Sequence, residues 1–166
     1  MSDVHPNVAR VIAAAREAGL EIIPRRFPDG TKTAADAAAA IGVKVGQIVK
    51  SLVFSVDGEI VMAYVSGANQ LDEKKLASAA GGAKCSRVDA DAVRTATGYP
   101  IGGVPPFGLV TKMRVFIDPD LLQYDGVNEM VWAAAGTWND VFPISPNELV
   151  RVSGGVVTDL KRGTEP

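Results

Sequence analysis

The first place to look for chemistry in this sequence is an ammonium group set in an apolar strand. In Gln47-Ile-Val-Lys-Ser-Leu-Val-Phe-Ser-Val56, strand alternation places Ile48, Lys50, Leu52 and Phe54 on one face and Val49, Ser51 and Val53 on the other. An ammonium buried without a partner is costly, so Lys50 must reach an acidic group, water or a ligand anion. Two readings follow: a lysine snorkelling from the strand end to solvent, or a cleft lysine placed for a phosphate or a carbonyl. The second candidate is Gly102-Gly-Val-Pro-Pro-Phe-Gly108. Prolines fix φ and glycines allow close backbone approach, so this loop can hold amides toward a ligand or serve as a rigid crossover. The third is Ala133-Ala-Ala-Gly-Thr137, where small residues leave a strand and a ligand, or simply a neighbouring strand end, can approach the main chain.

Isolated reactive side chains offer less. His5 precedes Pro6 near the start of the sequence and reads as solvated; Cys85 reads as a small hydrophobe with no histidine near it in sequence. Asp118 and Asp120 flank Pro119 and read as makers of turn hydrogen bonds. No nucleophile and base stand at a spacing that pairs them. The glycine fingerprints of dinucleotide and phosphate loops and the serine elbow are absent from the sequence. One cysteine and one histidine make a zinc site improbable, so no metal and no cofactor are expected.

The elements that must position these groups are legible from periodicity and punctuation. Val8, Val11, Ile12, Ala15 and Ala18 mark a helix from Pro6 that stops at Gly19, and Leu20 to Phe27 reads as extended. Thr33 can cap a helix over Ala34 to Ile41 that ends at Gly42, with Asp36 completing a box-like T-x-x-D. Gln47–Val56 and Glu59–Val65 flank Asp57-Gly58, the strongest hairpin signal in the chain. Short helices follow over Leu71 to Ala80 and Asp89 to Ala96, with a strand from Ala83 to Val88 between them. Tyr99 to Gly108 is a shaped loop. Val115–Asp118, Glu129–Ala135 and Asp140–Ile144 read as strands, Ser145-Pro146 opens a last helix, and the chain from Thr158 onward reads as a polar tail. Hairpins and helices mix without a regular β-α-β rhythm, which predicts an α+β fold.

The 166 residues are 47% hydrophobic but only 6% aromatic, which predicts one domain over residues 1–166, its last few residues a tail, with a core of small aliphatic side chains. No stretch reaches the roughly 20 apolar residues of a membrane helix, so a cytoplasmic protein with no membrane partner is expected. A net charge of −2 argues against gripping a long nucleic-acid backbone, and DNA is not expected as a partner. A few local cations could still hold one end of an RNA.

Thr33-x-x-Asp36-Ala37-Ala38, Ile48-Val-Lys50-Ser-Leu-Val-Phe54, Leu71-Asp-x-Lys74-Lys75-Leu76 and Thr97-Gly-Tyr-x-Ile-Gly-Gly-Val-x-Pro106, taken in order, resemble the YbaK/EbsC/ProX family of aminoacyl-tRNA editing domains. The resemblance implies a mixed α+β fold with a curved central sheet and surrounding short helices. It implies hydrolysis of the ester of a wrongly charged tRNA, by a freestanding enzyme acting on a prolyl-tRNA-type substrate bearing a small wrong amino acid, without metal or cofactor. Lys50 matches the family lysine that holds the 3′-terminal adenosine and phosphate region. Gly102 and Pro106 match a G-x-x-x-P loop that shapes the amino-acid pocket, and Gly136 matches a glycine at the strand end lining it. The resemblance thus makes Lys50, Gly102 and Gly136 the catalytic candidates and Ser51, Gly103, Pro106 and Ala135 the substrate-binding ones. One branch of the family has Ser-Gly-Gly followed by an aspartate; here Ala134-Ala135-Gly136 leads to Asn139-Asp140. The implied partners are the acceptor end of a mischarged tRNA and a prolyl-tRNA synthetase. The alternative is a non-catalytic module that binds a tRNA acceptor end or a synthetase.

Overall fold

The computed structural model describes residues 4–30 and 33–163. Helix α1 (Pro6–Glu17) starts with proline in its first turn and His5 as cap, the imidazole Nδ1 accepting from the Asn7 amide at 3.0 Å. It buries Val8, Val11 and Ala15. The extended run expected over Leu20 to Phe27 contracts to a two-residue strand, β1 (Arg25–Arg26), because only these residues find a partner, in β7 (Asp140–Ile144). Helix α2 (Ala34–Ile41) has its expected bounds: the Thr33 hydroxyl accepts from the Asp36 amide at 3.0 Å, and Gly42 ends it at φ 87°.

Strands β2 (Val49–Val56) and β3 (Glu59–Ser66) form the expected hairpin, with Val56 opposite Glu59. Asp57 and Gly58 both have positive φ, 49° and 90°, as a two-residue type I′ turn requires. The Asp57 carboxylate also accepts from the amides of Ala83 and Lys84, both at 2.9 Å. It thereby anchors the approach to β4 (Cys85–Arg87). Helices α3 (Glu73–Ala79) and α4 (Ala90–Thr97) are capped by Asp72 and Asp89. Strand β5 (Arg114–Ile117) runs parallel to β3, and a 3₁₀ turn follows over Pro119–Gln123. Strand β6 (Val131–Thr137) pairs with β7, and α5 (Pro146–Ser153) is capped by the Ser145 hydroxyl.

The fold is α+β, as the mixed order of elements predicts. With a last short strand β8 (Val156–Val157), its strands form two sheets, ordered β4-β2-β3-β5-β8 and β1-β7-β6, joined at a parallel bridge between Ile48 and Trp132. The main core lies between them, where Met62, Tyr64 and Ile117 meet Ala133, Ala135 and Phe142. The opposite face of the five-stranded sheet is sealed by α3, through Leu76 and Ala77 against Val61, Ala63 and Val65. Both faces of β3 are therefore buried, which fixes β2 beside it.

The tail reading fails from Thr158 to Arg162. Val156–Val157 form β8, parallel to β5; Leu160 is fully buried under α3, and its carbonyl accepts from the Asp72 amide at 2.7 Å. One apolar side chain among polar neighbours docks the segment, and periodicity has no means of registering a single residue. Residues 164–166, the end of the expected tail, lie outside those described.

Candidate active site

The site begins with an interruption on the outer edge of β2. A hydrogen bond of 2.7 Å from the Gly67 amide to the Ile48 carbonyl sets the parity of the hairpin: even-numbered residues of β2 exchange main-chain bonds with β3, and odd-numbered ones face the other edge. On that edge β4 pairs only with Phe54, Ser55 and Val56, and β6 touches only at Ile48. Among the described residues, no strand covers the main-chain N–H and C=O of Ser51. This stretch of β2 lines a cavity of about 460 Å³ with residues of both its faces. That volume is in the range of small-molecule sites.

Lys50 lines this cavity from the α3 side of the sheet. Its ammonium is half-buried and donates to the main-chain carbonyl of Asn69. Burial pulls the ammonium pKa down from its usual 10.5, and the negative charge of Asp118 opposes that shift. Asn69 is itself held, its side-chain amide donating to Asp118 and Asp120 at 2.8 Å each. Asp118 is fully buried and also accepts from the amides of Ser66 and Asp120, at 3.1 and 2.9 Å. Lys161 closes the chain on Asp120 at 3.0 Å. The turn reading of Asp118 and Asp120 thus describes only part of their work, since the same carboxylates fix the residue that fixes Lys50.

The loop from Tyr99 to Gly108 is pinned to the core by its carbonyls. Ser51 Oγ donates to Val104 at 2.8 Å, the Tyr64 hydroxyl to Pro105 at 3.2 Å, and the Trp138 indole to Ile101. Arg10 stacks over Tyr99 at 4.6 Å from the ring centroid. Ile101 and Val104 reach the cavity that Lys50 and Ser51 line. Gly102 and Gly103 instead turn toward the β6–β7 turn. A Cβ on Gly103 would lie 3.0 Å from the carbonyl carbon and oxygen of Gly136 and from the Thr137 nitrogen, so only glycine permits this approach. Gly136, at φ 101°, accepts from the Asn7 side chain at 2.9 Å under the start of α1. Ala135 is fully buried in the core, and Pro106 lines a separate hollow with Tyr64 and Phe107. The structure therefore brings Lys50 and Ser51 to one cavity. It places Gly102, Gly103, Ala135 and Gly136 behind the loop wall and Pro106 on a different face.

The remaining reactive groups have other employment. Burial and the nearby Glu73 push the Cys85 thiol up to about 11, so it is not a thiolate near neutrality. His5 is exposed, as expected, and also caps α1. Asp140 is buried and paired with Arg26 at 2.8 Å, away from the Lys50 cavity. Among the described residues, no group of three or more His, Cys, Asp or Glu side chains is arranged to hold a metal ion, and no helix is long and apolar enough to cross a membrane.

Three site residues escape a reading of the sequence: Asn69, Arg87 and Arg162. Both arginines line the cavity with Lys50. Seven other cations are held in ion pairs among the described residues, whereas Lys50, Arg87 and Arg162 are not. The carboxylate of Glu73 is the single acidic side chain in the same lining. A near-neutral chain thus carries a locally positive cavity, suited to a ligand with phosphate groups.

Comparison with known proteins matches residues 28–152 to the model of the aminoacyl-tRNA editing domain. The chain belongs to that family. The uncharacterized protein YwhH of Bacillus subtilis (strain 168) is 32% identical over 127 residues, 76% of this chain and 78% of that one. A proline–tRNA ligase of Geobacter sp. (strain M21) is 38% identical over 105 residues, 63% of this chain but 18% of the ligase. Among solved structures, a proposed trans-editing enzyme for prolyl-tRNA synthetase superimposes with a TM-score of 0.89 at 40% identity, covering 97% of this chain and all of that one.

Proposed function

We propose that this editing domain acts in trans as an aminoacyl-tRNA deacylase, hydrolysing the ester of a prolyl-tRNA-type substrate that carries a small wrong amino acid. The observation that carries the reading is Lys50, a half-buried cation in a cavity opened by the uncovered main chain of Ser51. The similarity to a proposed trans-editing enzyme for prolyl-tRNA synthetase over that structure's whole length, and to part of proline–tRNA ligases, supports the choice of substrate. A prolyl-tRNA synthetase and a cytoplasmic setting go with that choice.

In this mechanism the 3′-terminal nucleotide enters the cavity and Lys50 takes its phosphate region. The aminoacyl carbonyl sits against the outer edge of β2, where the Ser51 N–H donates to the oxygen as negative charge develops on it. A water molecule adds to the carbonyl carbon, the tetrahedral intermediate collapses, and the ester C–O bond breaks to release the amino acid and the ribose hydroxyl. An aminoacyl ester is already activated, so alignment and oxyanion stabilisation suffice to accelerate its hydrolysis. The proton is relayed by a neighbouring ribose hydroxyl or by the substrate's own side chain, and no metal ion or cofactor takes part. Editing is needed because one missing methylene is worth only about 1–3 kcal/mol of discrimination, too little for translation.

The test is single-turnover deacylation across a panel of mischarged tRNAs, proline tRNA included, with wild type and Lys50→Ala. The expected result is loss of an ester in the wild type and none in the variant, with cooperative thermal melting showing that the variant is folded. Equal turnover in the two removes Lys50 from the mechanism. Retention of tRNA with every ester intact in the wild type replaces the enzyme reading with a binding module.

A further inference from the structure

The family model ends at residue 152, yet the chain beyond it returns to the site. Leu160 is fully buried, and the Arg162 amide donates to the Gln70 carbonyl at 2.8 Å, so the segment is built into the fold and not laid on its surface. Lys75 ties it further, donating to Asp159 at 2.7 Å and to the Lys161 carbonyl at 2.8 Å. Two consecutive cations emerge from this anchoring with different partners. Lys161 is spent on Asp120, and through Asp120 and Asn69 it reaches the group that holds Lys50. The Arg162 guanidinium is exposed, bonds only the neutral Gln70 side chain among the described residues, at 3.1 Å, and lines the cavity that Lys50 lines.

We propose that Arg162 is a second anion-binding side chain of this site and takes the phosphodiester next to the one Lys50 takes, on the 5′ side of the penultimate nucleotide. The inference rests on the reading of the cavity as a site for an RNA 3′ end. An anion is the fitting ligand for three reasons. A guanidinium presents paired donors that match two phosphate oxygens. Among the described residues no carboxylate is paired with Arg162, although seven acidic side chains pair with seven of the other cations. Its backbone is fixed by Leu160 and Gln70, so little ordering entropy opposes binding. Lys50 and Arg162 line one cavity, which fits successive phosphates of one strand and not two separate ligands.

The experiment measures binding of two probes by calorimetry, the trinucleotide C-C-A with a free 3′-hydroxyl and adenosine, which has no phosphate. Wild type and Arg162→Gln are compared over a range of salt concentrations. A charge-assisted contact at an exposed position predicts on the order of 10-fold weaker trinucleotide binding in the variant. The slope of log affinity against log salt should fall by about 0.7, the value for one phosphate of a single strand. Adenosine binding should not change, and Arg162→Lys should restore part of the affinity and the full slope. Equal trinucleotide binding in wild type and Arg162→Gln, or an equal loss for adenosine, overturns the proposal. These readouts involve no ester, so a wild type that binds the trinucleotide through Arg162 but hydrolyses nothing refutes the deacylase and leaves this inference standing.

Discussion

Replacing Ser51 by proline removes one main-chain donor together with the side-chain hydroxyl. In the interior of a sheet such a change would delete a ladder bond, but the parity set by the Gly67-to-Ile48 bond turns the Ser51 N–H away from β3. On the outer edge neither β4 nor β6 reaches it. Proline is tolerated where a strand's N–H meets no partner, and residue 50 before it is already extended, as a proline requires. The side chain must be accounted for separately, because Ser51 Oγ donates to Val104 at 2.8 Å. Ser51→Ala isolates that loss, expected at about 0.5–1.5 kcal/mol of stability with turnover nearly unchanged. If the N–H stabilises the oxyanion, Ser51→Pro loses a further 100- to 1,000-fold in kcat, about 2.7–4 kcal/mol. Single-turnover hydrolysis of a labelled aminoacyl-tRNA gives the rates, and thermal melting of both variants gives the stability. A folded Ser51→Pro protein that turns over as fast as Ser51→Ala would show that the uncovered edge of β2 plays no part in the chemistry.

Two further outcomes follow from the same geometry. Leu160→Ala should destabilise the protein by about 2–5 kcal/mol, as for a fully buried leucine in a core, and chemical denaturation will measure it; a loss near zero would return the segment to the status of a tail. The depressed Lys50 pKa has a definite sign. Between that lowered value and the 10.5 of the unfolded chain, the unfolded state binds more protons. The penalty for burying the ammonium is therefore fully present at lower pH and is relieved as pH rises through the window. Denaturation midpoints of wild type should rise relative to Lys50→Met across that range while affinity for the C-C-A trinucleotide falls, and parallel curves would contradict both statements.

What could be read in the sequence was local. Asp57-Gly58 and the flanking alternation specify a hairpin by themselves, and the Thr33 cap and Gly42 stop bound α2 because both act within one helical turn. The unusual place of Lys50 follows from the same alternation. The Leu20–Phe27 run yields a shorter strand than its composition predicts, because a strand exists only where a partner lies and β7 meets it over two residues. Asn69, Arg87 and Arg162 carry no local signature. They come together because β4 stops at Arg87 and a single leucine anchors the chain's return past residue 158. The glycine loop has a further lesson. Composition suggests glycines that admit a ligand, whereas Gly103 admits the main chain of Gly136 and Thr137, so at this position the glycine serves the seating of the loop.

The absence of a nucleophile–base pair from the Lys50 cavity becomes intelligible once the site is viewed as an interrupted sheet. A catalytic side chain needs a second shell to hold its rotamer, and a small core of alanine and valine supplies few such groups. Main-chain donors need none, because the hairpin register that buries β3 on both faces already fixes the direction of the Ser51 N–H. The hydrogen-bonded chain of Lys161, Asp120, Asn69 and Lys50 then does for one cation what the register does for the amide. Ending the β4 pairing at Arg87 and limiting β6 to the single bridge at Ile48 leaves that amide uncovered while the strand around it stays rigid. In the proposed mechanism the chemistry depends on the gap between these two strands: extending β4 over Ser51 would engage the donor that a developing oxyanion requires.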